Sequence, residues 1–119
     1  MPLEPRLSFS ETNYLKVAAS TIYVSIGAEF PAGESHAVYK FRANGADPAA
    51  YVVLAWDWGG DAQKIFGSTK GDIEIIFETD NPDHIITGVA GKKLSIVIIN
   101  DNTDETPIVG GEFETVKVG

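Results

Sequence analysis

Apolar and polar residues alternate along most of the chain with a period of two, which is the period of a β-strand. The clearest examples are residues 21–26, 36–42, 72–78 and 112–118. In the third of these, Ile73, Ile75 and Phe77 share one side and two glutamates occupy the other. In the first, Ile22, Val24 and Ile26 share one side. This alternation indicates half-buried antiparallel strands.

Two further runs, 51–56 and 94–99, are apolar on both sides and rich in β-branched residues, so they predict central strands. Weaker strand signals lie at 7–9, 15–18, 64–66 and 84–87. Turn-forming Gly, Asn, Asp and Pro residues separate these segments at strand-length intervals. No stretch of ten residues has the pattern of an amphipathic helix. The chain therefore predicts an all-β protein, a single-domain antiparallel β-sandwich or jelly roll of about eight to ten short strands.

The length of 119 residues is that of one domain. We divide it into an extended N-terminal arm, residues 1–10, and a β-sandwich domain, residues 11–119. The absence of cysteine excludes disulfides and thiolate metal sites. The net charge of −8 argues against nucleic acid and anionic membrane surfaces as partners. The start of the chain lacks the features of a cleaved signal peptide, and no apolar run is long enough for membrane insertion. We expect a soluble protein, either cytoplasmic or exported without a cleaved signal.

The segment 100–107 is the first candidate for chemistry, because it holds three carboxylates and two amides after a predicted buried strand. Calcium prefers six to eight oxygen ligands of this mixed kind. Asp101, Asp104 and Glu105 are therefore candidate calcium ligands, although their spacing is not that of an EF-hand. The alternative is an ordinary loop, since Asp and Asn also form turns with their own backbone.

The segment Trp56–Asp61 is the second candidate. If the strand continued through them, Trp56 and Trp58 would share a face, on which a sugar ring could stack. Asp57 and Asp61 would then accept hydrogen bonds from sugar hydroxyls. Asn102 joins this set as a candidate ligand-binding residue. The alternative is that at least one tryptophan belongs to the core.

Catalytic motifs are lacking. His36 and His84 do not lie in a metal-binding motif, and we expect both on the surface. The chain has no Gly-x-Ser-x-Gly elbow and no phosphate-binding loop. A small hydrolase remains the least favoured alternative, and we expect a protein that is not an enzyme.

The last third of the chain resembles the LecA-type bacterial lectins, small β-sandwiches that bind galactose through calcium. The resemblance rests on the strand 94–101 ending in Asn-Asp, on Gly111 and Phe113, and on the turn 30–34. It covers about a third of the chain. It implies that Asp101 binds calcium and that Glu105 offers a backbone carbonyl.

The chain departs from the family pattern at Ile108 and Val109, where the family has two adjacent asparagines. Asn102 or Asp104 would have to replace those amides. The sequence-based expectation is a non-catalytic, lectin-like module that binds carbohydrate with the help of calcium. The alternative is a structural or assembly protein, a homo-oligomer or a subunit of a larger particle, whose partner is protein.

Overall fold

Ten β-strands make up almost all the regular structure of the computed structural model, which describes residues 8–45 and 50–118. The strands are β1 (Ser8–Leu15), β2 (Thr21–Val24), β3 (Ala28–Glu29), β4 (Ser35–Asn44), β5 (Tyr51–Trp56), β6 (Lys64–Thr69), β7 (Ile73–Ile76), β8 (Ile85–Thr87), β9 (Lys93–Asn100) and β10 (Val109–Lys117). A single 3-10 turn, Pro82–His84, precedes β8. Residues 1–7, most of the proposed N-terminal arm, lie outside the described residues, and β1 begins at Ser8.

The strands form two antiparallel sheets that pack face to face, so the predicted β-sandwich is confirmed. Sheet A has the order β1-β10-β4-β7, and β8 pairs with the other end of β4 on the side of β7. Sheet B has the order β2-β9-β5-β6, and β3 extends the β2 edge along β9. The two runs that are apolar on both sides, β5 and β9, pair with each other at the centre of sheet B, as their composition predicts. No helix in the described ranges is long and apolar enough to cross a membrane.

The core lies between the sheets and takes alternate residues from each strand. Sheet B contributes Val52, Leu54 and Trp56 from β5 and Leu94, Ile96 and Ile98 from β9. Sheet A contributes Val38, Phe41 and Ala43 from β4 and Val109 and Phe113 from β10. Phe41 and Phe113 are cross-strand partners and the two largest fully buried side chains. Burial of this apolar surface is the main stabilising contribution to the fold.

A β-bulge explains the irregular pattern of β4. Lys40 pairs with Glu114 and Val38 with Thr115, so Tyr39 is an extra residue opposite this pair. The bulge lets both Val38 and Phe41 point into the core and turns Tyr39 outward, where it is 40% exposed. The simple alternation of Ala37, Tyr39 and Phe41 expected from the sequence is therefore interrupted at Tyr39.

The strand β2 keeps its predicted alternation, but its apolar side is the exposed one. Tyr23 packs against the core, and Ser25 is buried with its Oγ accepting a hydrogen bond from the Ile96 N–H at 3.0 Å. The apolar side, Ile22, Val24 and Ile26, therefore faces away from the core and is exposed.

Candidate functional site

The connection after β5 is a tight turn that reverses the chain at Asp57. Asp57 has a positive φ of 51°, a conformation that Asp tolerates better than most residues. Its N–H donates to the Lys93 carbonyl at 2.9 Å, and its carbonyl accepts from the Gly60 N–H at 2.8 Å. One oxygen of its carboxylate accepts from the Ala62 N–H at 2.9 Å. The strand therefore ends at Trp56 and does not continue through Trp58.

The two tryptophans lie on opposite faces of sheet B as a result. Trp56 is buried in the core and its ring lies 6.2 Å from that of Phe30. Trp58 is half-buried on the outer face, where it packs against a second apolar cluster that includes Val53 and Val97. The expectation of a paired indole platform is wrong, because the positive φ at Asp57 breaks the period of two.

Lys92 pairs with both acids of this turn. Its Nζ donates to Asp57 Oδ2 and to Asp61 Oδ1, both at 2.8 Å. These hydrogen bonds lower the pKa of both carboxyls and raise the pKa of Lys92. Beside the turn is a depression of about 330 Å³ lined by Trp58, Asp57, Lys93, Ser25 and Ser95. Asp57 reaches this depression, but one of its oxygens is already engaged.

The loop 100–107 is organised around the buried amide of Asn100, which is 1% exposed. Its Nδ2 donates to the carbonyls of Val17, Ala18 and Asp104 at 2.9–3.0 Å. Its Oδ1 accepts from the backbone N–H and the side chain of Asn102. These hydrogen bonds connect the loop to Val17 and Ala18, which precede β2.

Thr106 makes a second attachment, because its buried hydroxyl accepts from the Val17 N–H at 2.8 Å. Neither Asn100 nor Thr106 was among the predicted site residues. The sequence feature that could have indicated Asn100 is its position at the end of an apolar strand.

The three predicted calcium ligands do not converge. Asp101, Asp104 and Glu105 are all exposed, and Asp101 lies 3.8 Å from the Lys70 Nζ. The Asp104 carbonyl already accepts a hydrogen bond from Asn100. Within the part of the chain that the structure describes, no three His, Asp or Glu residues form a group that could hold a metal ion. Calcium binding by this loop stays a sequence-based prediction.

One of the two histidines lies in the core region instead of on the surface. His36 is 3% exposed and stacks on Phe30 with ring centroids 4.3 Å apart. Its Nε2 lies 3.3 Å from Glu34 Oε1. The expectation that His36 lies on the surface is wrong, because β4 directs His36 and Val38 to the same inner side. His84 is half-buried and its Nδ1 lies 2.9 Å from the Glu78 carbonyl oxygen.

The outer face of sheet B is apolar across all four principal strands. Cross-strand pairs such as Ile22–Ile99, Val24–Val97 and Tyr51–Ile99 place their side chains on one side. We call this surface the apolar face; it comprises Ile22, Val24, Ile26, Tyr51, Val53, Ala55, Trp58, Ile65, Val97 and Ile99. Val53, Ala55 and Val97, on the central strands, are buried, and Trp58 and Ile99 pack against them. The exposed part of the apolar face consists mainly of Ile22 at 56%, Val24, Ile26 at 82%, Tyr51 and Ile65.

The outer face of sheet A is charged instead. One cross-strand row runs Thr12, Glu112, Arg42, Glu74, and the next places Glu114 beside Lys40. Lys40 Nζ pairs with Glu74 Oε1 at 3.1 Å, which raises the pKa of Lys40. The two outer faces of the sandwich therefore differ in chemistry.

Comparisons of the chain with protein-family models, with curated proteins and with solved structures find no match. The resemblance to the lectins therefore stays an expectation from the sequence.

Proposed function

We propose that this protein is a non-catalytic assembly protein that pairs with a second copy of itself through the apolar face. The observation that carries the proposal is the exposure of Ile22, Val24 and Ile26 on the outer side of sheet B, while their neighbour Tyr23 packs against the core. Covering such a surface with another apolar surface is favourable. A two-fold dimer needs one patch that complements itself, and a flat apolar sheet face meets this requirement.

The size of the apolar face favours a reversible dimer. Four strands about 4.8 Å apart, with about six residues each at about 3.3 Å, span roughly 400 Å² in projection. Two such faces together remove about 800 Å² of surface from water. Stable interfaces bury about 1,200–2,000 Å², so this contact falls below that range, among weak and transient contacts. We therefore expect association at micromolar concentrations or above.

The distribution of charge supports pairing through this face. The chain carries a net charge of −8, so two copies repel each other unless their acids are kept apart. At one end of the apolar face, Asp57 is paired with Lys92. At the other end, Asp101 lies beside Lys70, whose Nζ is 4.5 Å from the Tyr51 ring centroid. The acids bordering the face are thus partly neutralised. Added salt should screen the remaining repulsion and strengthen association.

Light scattering coupled to size exclusion tests this proposal over roughly 5 µM to 1 mM protein. We expect the mass to rise from 12.8 kDa toward twice that value as concentration increases. Ile22→Glu places a charge in the apolar face and should keep the protein monomeric. Ile76→Glu is the matched control, because Ile76 is 58% exposed and lies on the outer side of sheet A. A wild type that stays monomeric at 1 mM refutes self-association, as does equal dissociation of both variants.

Carbohydrate binding at the predicted Trp58 region is the second candidate. The observation in its favour is the depression that joins Trp58 to Asp57, Ser25 and Ser95. It ranks lower because Trp56 is unavailable in the core and Lys92 already engages Asp57 and Asp61.

A further inference from the structure

A groove of about 630 Å³ crosses the outer side of sheet A, on the face opposite to the proposed dimer contact. It is lined by Tyr14, Arg42, Asn44, Asp72 and Glu74, with Ala43 and Ile73 at its base. In register, Gly110 lies between Tyr14 and Asn44 and carries no side chain. The groove is widely open to solvent.

The lining combines an aromatic ring with both kinds of hydrogen-bonding group. Tyr14 is 36% exposed and offers a flat ring with a polar hydroxyl. Arg42 is exposed and supplies a planar set of N–H donors. Its guanidinium makes no ion pair with the carboxylates of the described residues. Asp72 supplies acceptors, and so does Glu74 through the carboxylate oxygen that is not paired with Lys40 Nζ. Sugar hydroxyls both donate and accept, so a mixed lining of this kind matches them.

The charges of the groove disfavour two other classes of ligand, anions and bare metal cations. The carboxylates of Asp72 and Glu74, with Glu112 beside Arg42 in the same cross-strand row, would repel phosphates and other anions. The fixed positive charge of Arg42 opposes a bare metal cation. A neutral ligand with several hydroxyl groups avoids both penalties and can still stack on Tyr14.

We propose that the groove formed by Tyr14, Arg42, Asn44, Asp72 and Glu74 binds a neutral sugar ring without calcium. Tyr14 stacks on the apolar side of the ring, Arg42 donates to its oxygens, and Asp72 and Glu74 accept from its hydroxyls. The site is distinct from the Trp58 region and from the apolar face. It would leave a dimer with one groove exposed on each outer side.

Nuclear magnetic resonance titration of the ¹⁵N-labelled protein tests the site directly. Galactose, glucose and mannose are added separately to about 50 mM in the presence of EDTA. We expect at least one sugar to shift the amide signals of Tyr14, Arg42 and Glu74. Tyr14→Ala should weaken that binding about tenfold, the loss of roughly 1.4 kcal/mol that aromatic stacking supplies.

Tyr39→Ala is the matched control, because Tyr39 is 40% exposed on the same sheet but does not line the groove. This variant should bind like the wild type. Ile22→Glu should also bind like the wild type, which keeps this test independent of self-association. Unchanged spectra with all three sugars overturn the proposal. Shifts confined to the surroundings of Trp58 overturn it as well, and would support the sequence-predicted location.

Discussion

Replacing Asn100 should destabilise the protein far more than its position in a polar loop suggests. The two Nδ2 hydrogens are shared by three carbonyls, and Oδ1 accepts from Asn102. Each hydrogen bond contributes about 0.5–1.5 kcal/mol net, and orphaned buried carbonyls add to the loss. Water can reach some of these groups, since Ala18 and Asp104 are exposed. We therefore expect Asn100→Ala to lower the free energy of unfolding by about 2–4 kcal/mol.

Urea unfolding followed by tryptophan fluorescence measures this loss at pH 7. In a domain of this size the loss corresponds to a fall in Tm of roughly 8–16 °C. Asn100→Asp keeps the shape but aims a carboxylate oxygen at the same carbonyls, so its loss should be at least as large. Thr103→Ala, at an exposed position of the same loop, should change stability by less than about 0.5 kcal/mol.

A loss below about 1 kcal/mol for Asn100→Ala, with an unchanged m-value, would show that the amide does not hold the loop. Repeating the wild-type titration with millimolar calcium addresses the sequence-based metal prediction. If Asn100 alone holds the loop, calcium leaves the urea midpoint of unfolding unchanged, whereas a calcium site raises that midpoint.

Three further substitutions probe the core and its edges. Burial raises the pKa of the Glu11 carboxyl above its ordinary value near 4.5, against the opposing hydrogen bond from Gly27. The contribution of this carboxyl to stability is thus greatest below about pH 4.5 and falls as the pH rises. Glu11→Gln should therefore be more stable than the wild type at pH 7 but not at pH 4. An equal difference in stability at both pH values contradicts this. Phe41→Ala removes a fully buried ring and should cost about 3–5 kcal/mol in urea unfolding, while a cost below about 1.5 would mean that the core closes around the gap. Gly110→Ala should loosen the pairing of β1 with β10, because a Cβ at this φ of +154° would clash with the Asn13 carbonyl oxygen. Faster amide exchange along β1 reports the effect, and unchanged exchange refutes it.

The strand pattern predicted most of the fold correctly because side-chain alternation is a local property. The run 51–56 is β5 residue for residue, and 94–99 lies within β9. The weak signals at 7–9 and 15–18 were wrong in detail, since one continuous strand, Ser8–Leu15, replaces them. Its β10 partner supplies hydrogen bonds across the whole length, which a local pattern does not reveal.

The candidate sites were harder to predict because each depends on contacts distant in sequence. In the sequence, Asp57 and Asp61 look like available acceptors, but in the structure Lys92, just before β9, pairs with both of them. The groove on sheet A joins Tyr14 of β1, Arg42 of β4 and the chain around Asp72 and Glu74. No spacing in the sequence relates these residues. Their proximity follows from β10 lying between β1 and β4.

The sequence by itself determined that the chain is an all-β sandwich, that β5 and β9 are central, and that no familiar catalytic motif is present. Only the tertiary structure decided which side of each strand faces inward. Alternation defines two sides, but burial depends on the opposing sheet. Thus Tyr23 packs against the core while Ile22 and Val24 form part of an exposed face. A single positive φ at Asp57 likewise separates Trp56 from Trp58, since one backbone angle changes the direction of every residue after it.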